Sequence, residues 1–397
     1  SGGVIYSTSA NTVTLNTSGG NVTLGGGNAS GTSFAVNNNL TETQGADAHQ
    51  DGISFQALTI SSGAGNVSLM GKAYNSSSTA KFAGGMWIGT LNITTTTGNV
   101  TVDGEVPSGA TGYTGGYYGL YFNTGTLQSS SGGNIYLTGL NQTTATSNNG
   151  LYGALIPNLS TSGMVVINGT NTSSSQKAVI QISGTTITAG QLLLNGAGSY
   201  DLTNANNDVG TLAVNGLTSL SYIDKNALTI GSVNGSDGIS VSGAVSVATA
   251  TGDLTITKNI ATTNTGSSAI ILSAGTSTAA GTSTGGNVIL SGGTPSITTG
   301  ANGRTVIYTG SVADSTGVTD WVGSGSGNFR YKSSQATTNF TTALASSGKY
   351  AVYRQAIAVN MSTGSATMTY GDSLSSISGT TTGLVNGDTA IYSISGR

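Results

Sequence analysis

Residues 285–292 read Gly-Gly-Asn-Val-Ile-Leu-Ser-Gly, and the same phrase returns along the chain. It is GGNVTLG at 19–25, GNVSLMG at 65–71, GNVTVDG at 98–104 and GGNIYLTG at 132–139. Looser copies are GMVVING at 163–169, GQLLLNG at 190–196, GTLAVNG at 210–216 and GDLTITK at 252–258. Each copy opens on a glycine or Gly-Asn turn, alternates apolar and small polar residues, and often closes on glycine again. That is the signature of a very short strand held between turns.

Composition bounds what such a chain can be. Of 397 residues, 63 are glycine and 3 are proline, and charged residues make up 6%, against about 25% in an ordinary soluble domain. Disordered chains combine low hydrophobicity with high net charge and abundant proline. Here hydrophobic residues reach 36% and net charge is -3, so disorder is a poor fit. The frequent Val, Ile, Leu, Thr and Tyr suit strands. Eleven scattered cations argue against a phosphate-binding surface, so nucleic acid is not an expected partner. No apolar run of about 18 residues predicts a membrane-spanning helix. No basic start with an apolar core predicts a signal peptide, as expected of a mature form or a fragment. Cysteine is absent, so stability must come from ladder hydrogen bonds and a long stacked core; an extracellular bacterial surface is compatible with this.

The copies recur at intervals of roughly 20 to 45 residues, the range of solenoids, propellers and arrays. Helical solenoids need amphipathic runs that this Gly-, Ser-, Thr- and Asn-rich chain lacks. A propeller would show longer blades of steadier period. The expected fold is therefore all-β, a right-handed parallel β-helix. Coils stacked about 4.8 Å apart tolerate insertions at their turns, which explains the irregular spacing. Val22, Leu24, Val67, Leu69, Val288 and Leu290 are expected inside, with Thr23, Ser68 and Ile289 outside. Coils of about 20–25 residues would make residues 1–310 a rod of roughly a dozen coils, about 60 Å long.

Taken in order, residues 41–52 hold the one cluster with metal-like spacing: Glu42, Asp47, His49 and Asp51. The period-2 spacing of Asp47, His49 and Asp51 would place them on one strand face, where they are candidates for a divalent cation. A solvated polar loop is the favoured reading, and no metal or cofactor is expected. Residues 72–90 read as an insertion. The densest aromatic stretch follows, GYTGGYYGLYF, with Tyr113, Tyr117, Tyr118, Tyr121 and Phe122. Packing within the coil is the favoured reading of these rings; contact with a glycan or partner is the alternative for the four tyrosines. The segment DLTNANND at 201–208 lacks the glycine and distal glutamate of an EF-hand loop and reads as a turn. From about 300 the texture changes: Arg304, Arg330, Lys332, Lys349 and Arg354 fall among Trp321, Phe329, Tyr331, Phe340, Tyr350 and Tyr353. A cap over the end of the stack is expected here, at 311–356, because an open coil exposes unpaired strand edges.

The repeated GGNVxLxG coils, with passages such as GDLTITKNIATTNTGSSAIILSAG, resemble the haemagglutinin-type β-helix of filamentous-haemagglutinin-like adhesins exported by two-partner secretion. The stretch GNFRYKSSQATTNFTTALASSGKYAVYRQ resembles the segment that closes such a helix. MTYGD at 368–372 with TTTGLVNGDTA at 380–390 resembles the opening of an MBG-type repeat module, which assigns 357–397 to the start of a small β module. The resemblance implies a secreted cell-surface protein, an outer-membrane transporter during export, and glycans or a host or neighbouring cell surface as partners. The Asn-Pro-Asn-Gly-type motif of that family's secretion domain is missing, which implies an internal or processed piece of a longer polypeptide.

Catalysis is not expected. A polysaccharide lyase or hydrolase on this scaffold would need clustered carboxylates or acidic calcium ligands beside a basic residue. The 14 acidic residues are mostly isolated, and Asp103 with Glu105 is the nearest pair. His49, the single histidine, would have to serve any Ser-His-Asp triad. Asn-x-Ser/Thr sequons occur at Asn66, Asn92, Asn141, Asn168, Asn339 and Asn360 and leave glycosylation open. The expected function is that of a stiff, non-catalytic adhesin or matrix scaffold. The alternatives are a subunit of a self-assembling extracellular filament and, third, a polysaccharide-degrading β-helix enzyme.

Overall fold

The computed structural model describes residues 3–7, 11–26, 33–44, 46–143, 151–172, 176–364 and 379–390. The protein is all-β, 53% strand and 1% helix, with a large parallel sheet of 30 strands. One stack starts at Ile5–Ser7 and passes through Ile53–Gly63, Phe82–Thr95, Gly116–Ser129, Leu151–Ile156 and Val179–Gln181. It continues through Ser199–Leu202, Ser219–Asp224, Val245–Thr249, Ile270–Ser273, Arg304–Thr309 and Gly348–Tyr353. These twelve strands pair in parallel, each with the next, so the chain returns to the same column after every excursion. A second column holds Val22–Leu24, Val67–Lys72, Val100–Val106 and Ile135–Asn141. A third begins at Val13–Asn16, which pairs with residues 58–61. Long strands such as Ile53–Gly63 turn a corner and serve two columns. This arrangement is consistent with a parallel β-helix.

Alternation within the repeat builds the core. Val67, Leu69 and Val288 are buried, as are Val22 and Leu290, and they join one continuous cluster running from Val22 to Tyr353. Leu24 is half-buried at the edge of that cluster, Thr23 is exposed, and Ser68 and Ile289 are half-buried. The inward and outward assignment of the repeat therefore holds.

The two ends of the repeat have separate physical reasons. The asparagine after the opening glycine forms a ladder along the stack. The Asn66 amide donates to Asn21 Oδ1, Asn99 to Asn66 and Asn134 to Asn99, each at 2.8 Å, and Met164 to Asn134 at 2.9 Å. Each side chain thus satisfies a backbone donor of the next coil at a turn, where the regular ladder is interrupted. The closing glycine also forms a column: Gly71, Gly104, Gly139, Gly169 and Gly196 are successive register partners. Here two sheets meet backbone to backbone. A Cβ on Gly104 would lie 2.0 Å from the Gly119 carbonyl oxygen, and one on Gly71 would lie 2.1 Å from that of Gly85.

Two sequence expectations change. Residues 72–90 are not one insertion, because Phe82–Thr95 is a 14-residue strand of the main stack. Its Gly84-Gly85 pair hides the alternation in sequence. The stacking also does not stop at 310: Gly348–Tyr353 continues it against Arg304–Thr309 and is itself paired by Phe329–Arg330. The short helix Val318–Val322 buries Val318 and Val322 against the last coils, so 311–356 supplies a final rung as well as its cover. Beyond it, Asn360–Thr363 pairs antiparallel with Gly379–Thr382. The MTYGD stretch at 368–372 lies outside the described residues. Asn386 and Asp388 dock on the cover: Thr319 Oγ1 donates to Asn386 Oδ1 at 2.6 Å and Tyr331 OH to Asp388 Oδ2 at 2.5 Å.

Candidate functional site

The polar cluster at 41–52 is neither a solvated loop nor one ligand face. Glu42–Gln44 and Asp47–His49 pair antiparallel at a corner of the early coils. That folds Glu42, His49 and Asp51 inward, where all three are buried. His49 Nδ1 lies 3.0 Å from Asp51 Oδ2, Ser54 Oγ donates to the same oxygen at 3.3 Å, and the Asp51 amide donates to Glu42 Oε1 at 2.9 Å. Glu42 Oε2 and Asp51 Oδ1 have no hydrogen-bond partner. Asp51 Oδ1 sits against Gly84, where a Cβ would come within 2.6 Å of it. Burial, reinforced by the Asp51 charge, pushes the Glu42 carboxyl up to about 9, and burial also raises Asp51. Asp47 does not join them; it lies half-buried in an ion pair with Lys81 Nζ at 2.7 Å. The three cation candidates are thus divided, and among the described residues no group of three or more His, Cys, Asp or Glu side chains is placed to hold a metal. Ser54 bonds Asp51, so the order of a nucleophile, histidine and carboxylate is not assembled here.

The tyrosines also divide. Tyr113 and Tyr117 are buried in a satellite cluster with Ala73, Ala80, Ala83, Val106 and Ala110. Tyr113 OH donates to Gln50 Oε1 at 2.7 Å, and the Tyr113 amide donates to Tyr117 OH at 3.2 Å. Both pack within the coil, as the favoured reading has it, and the alternative of a glycan or partner contact does not hold for these two. Tyr118 is also buried, whereas Tyr121 is half-buried and sits at an outward position between inward Leu120 and Phe122.

Around Tyr121 the stacking of coils assembles an aromatic stripe. Trp87 is its register partner one coil earlier, at the outward position between Met86 and Ile88. The two rings lie 6.2 Å apart and 6° from parallel. Tyr118 lies 4.7 Å from Tyr121, 6.0 Å from Phe82 and 6.1 Å from Tyr152 on the following coil. His49 packs beneath, 4.8 Å from Phe82 and 5.1 Å from Trp87. Phe82, Trp87, Tyr121 and Tyr152 are all half-buried, so part of each ring reaches the surface. Sequence reasoning missed Phe82, Trp87 and Tyr152. They lie 31 to 39 residues from Tyr121, on either side of it in sequence, and only the strand register joins them.

The remaining polar candidates have structural partners. Glu105 pairs with Lys72 at 2.8 Å. Asp103 shares its outward face, and burial with the neighbouring Glu105 charge pushes its carboxyl up to about 6. At 201–208, Asp201 pairs with Lys177, and Asn207 Nδ2 donates to the carbonyls of Leu202 and Ile223 at 3.2 and 3.1 Å, as a turn requires. Among the sequons, Asn66 belongs to the ladder, Asn92 Oδ1 accepts from the Thr126 amide at 3.2 Å, and Asn141 is fully buried. At the covered end, a cleft of about 390 Å³ lies between Pro295, Ile297, Trp321 and Lys349, with Lys349 Nζ 4.9 Å above the Trp321 ring.

No protein-family model, curated protein or solved structure matches this chain.

Proposed function

We propose that the protein is a rigid, non-catalytic rod of a secreted bacterial surface adhesin or matrix scaffold, wound as a right-handed β-helix of the haemagglutinin type. In this reading it reaches the cell surface through an outer-membrane transporter. It attaches to glycans of a host or neighbouring cell through the stripe formed by Phe82, Trp87, Tyr121 and Tyr152, whose rings pack around the buried Tyr118.

The observation that carries the reading is the stripe itself. Aromatic rings from consecutive coils align on the outside of a stack whose other outward residues are mainly Ser, Thr and Asn. Aromatic rings present large, rigid, amphipathic area, and tyrosine adds a hydroxyl at the edge. Such a row suits repeated weak contacts along a polymer, which add through effective concentration. The test is binding of the full chain to immobilised polysaccharides. The double variant Trp87→Ala, Tyr121→Ala removes two outward rings and is expected to weaken retention about five-fold or more, at about 0.5–1.5 kcal/mol per aromatic contact. Unchanged retention with the fold intact would rule the stripe out.

A second reading, self-association into filaments, has its own observation. The inward residues of the first coil, Ile5, Val13, Leu15 and Leu24, are half-buried, whereas their partners Ile53, Leu58, Ile60 and Leu69 on the next coil are fully buried. Added coils or a second copy would cover them.

A further inference from the structure

Arg354 directly follows the last strand of the main stack, Gly348–Tyr353, and points its side chain into the protein, where it is 2% exposed. Its Nη1 donates to the Ala274 carbonyl, and its Nη2 to those of Thr284 at 3.1 Å and Gly286 at 2.6 Å. Its Nε has no hydrogen-bond partner. No carboxylate pairs with it among the described residues. A guanidinium this deeply buried ordinarily has an anionic partner, because carbonyl dipoles offset only part of the cost of removing a full charge from water. With five N–H groups on the guanidinium and three donations made, Nε–H and one Nη1 proton remain uncommitted.

Beside this side chain lies a solvent-open cavity of about 190 Å³, ample for a small ion. Arg354, Ser273, Thr276, Tyr308, Ser334 and Gln335 line it, and none of its lining residues is acidic. Ser273 Oγ donates to Gln335 Oε1 across it at 2.8 Å, so two polar groups there satisfy each other and are free to exchange that bond for a stronger one. Hydroxyls and a guanidinium N–H are the donors that an oxyanion takes. Nε is closed off from solvent, so the contact from Arg354 would come from the remaining Nη1 proton.

We propose that this cavity is a binding site for a small oxyanion, a carboxylate or sulfate group, held by Arg354 with the hydroxyls of Ser273 and its neighbours. The same chemistry is presented by a free ion and by the pendant group of an acidic sugar. The site lies far along the stack from the aromatic stripe and stands or falls independently of it.

The test is thermal unfolding of the full chain in chloride buffer, with sodium sulfate or sodium glucuronate added at constant ionic strength. A bound anion raises the midpoint by a few degrees along a saturating curve, because it binds the folded state alone. General salting effects rise without saturation. Arg354→Gln is expected to lose the saturating component. Gln335→Glu places a carboxylate in the cavity. It is expected to unfold at a higher temperature than the wild type in chloride alone and to respond to neither anion. This variant keeps the test decisive should Arg354→Gln fail to fold. Saturation with sulfate supports a free-ion site, and saturation with glucuronate alone supports a sugar acid. A wild-type curve without saturation for either anion, or a saturating curve retained in Gln335→Glu, would overturn the proposal.

Discussion

Glu42 is buried beside Asp51 with one carboxyl oxygen unpartnered, and that fixes the sign of a pH effect. Its folded pKa is pushed up to about 9 by burial and then by the Asp51 charge. In the unfolded chain it ionises near its ordinary value, about 4.3. Between those values the unfolded state has released a proton that the folded state retains, so stability falls as pH rises, by at most about 1.4 kcal/mol per pH unit. Glu42→Gln keeps an acceptor for the Asp51 amide and cannot ionise. The variant should match the wild type near pH 4.5 and unfold at a higher temperature by pH 8, with the gap widening in between. A gap independent of pH would show that Glu42 is ionised in the fold. Gly104 sets an equally sharp limit. A Cβ there would meet the Gly119 carbonyl oxygen at 2.0 Å, and no flexible side chain stands between to yield. Gly104→Val is expected to cost about 3 kcal/mol or more, read as a lower midpoint in denaturant unfolding. An exposed glycine such as Gly235, with nothing within 4 Å of its would-be Cβ, offers the matched comparison, although its positive φ of 80° carries a smaller backbone cost of its own.

At the scale of elements, the repeat was legible because its two constraints are written in residue types. The asparagine and the closing glycine each have one structural task and recur at the matching place in successive coils. Asn99→Ala would leave the Asn134 amide without its acceptor and is expected to cost about 1–2 kcal/mol. Asn99→Asp, which keeps an acceptor, should cost less, and equal losses in chemical denaturation would contradict the ladder. The site was far less legible. The strand Phe82–Thr95 reads as an insertion because Gly84-Gly85 and Trp87 interrupt the alternation, yet Gly84 makes room for Asp51 and Trp87 carries the stripe. Tyr113 and Tyr121 look alike in sequence, but a corner of the coil sends one into a satellite core and leaves the other outside. Register across coils decides which residues meet, and sequence spacing alone does not give that register when coil lengths vary. Likewise, period-2 spacing predicts one face for Asp47, His49 and Asp51, yet Asp47 stays half-buried in its ion pair with Lys81 while His49 and Asp51 are buried against each other.

For the whole molecule, the parallel column from Ile5–Ser7 to Gly348–Tyr353 makes the described protein one continuous elongated stack. Its ends differ. Phe329–Arg330 and Val318–Val322 cover the last rung, whereas the first coil keeps half-buried apolar residues. In the reading of self-association proposed above, contact through the first coil would grow with concentration and lengthen the particle in steps. A rod that works by its outer face needs length and stiffness more than a cleft, and a dozen coils at about 4.8 Å give a stack near 60 Å. Small-angle X-ray scattering of the full chain at low concentration tests this most directly. The account predicts a rod-like profile with a cross-section constant along its length and a maximum dimension of about 60 Å or more. A profile of a compact sphere, with a maximum dimension well below the length of the stack, would contradict it.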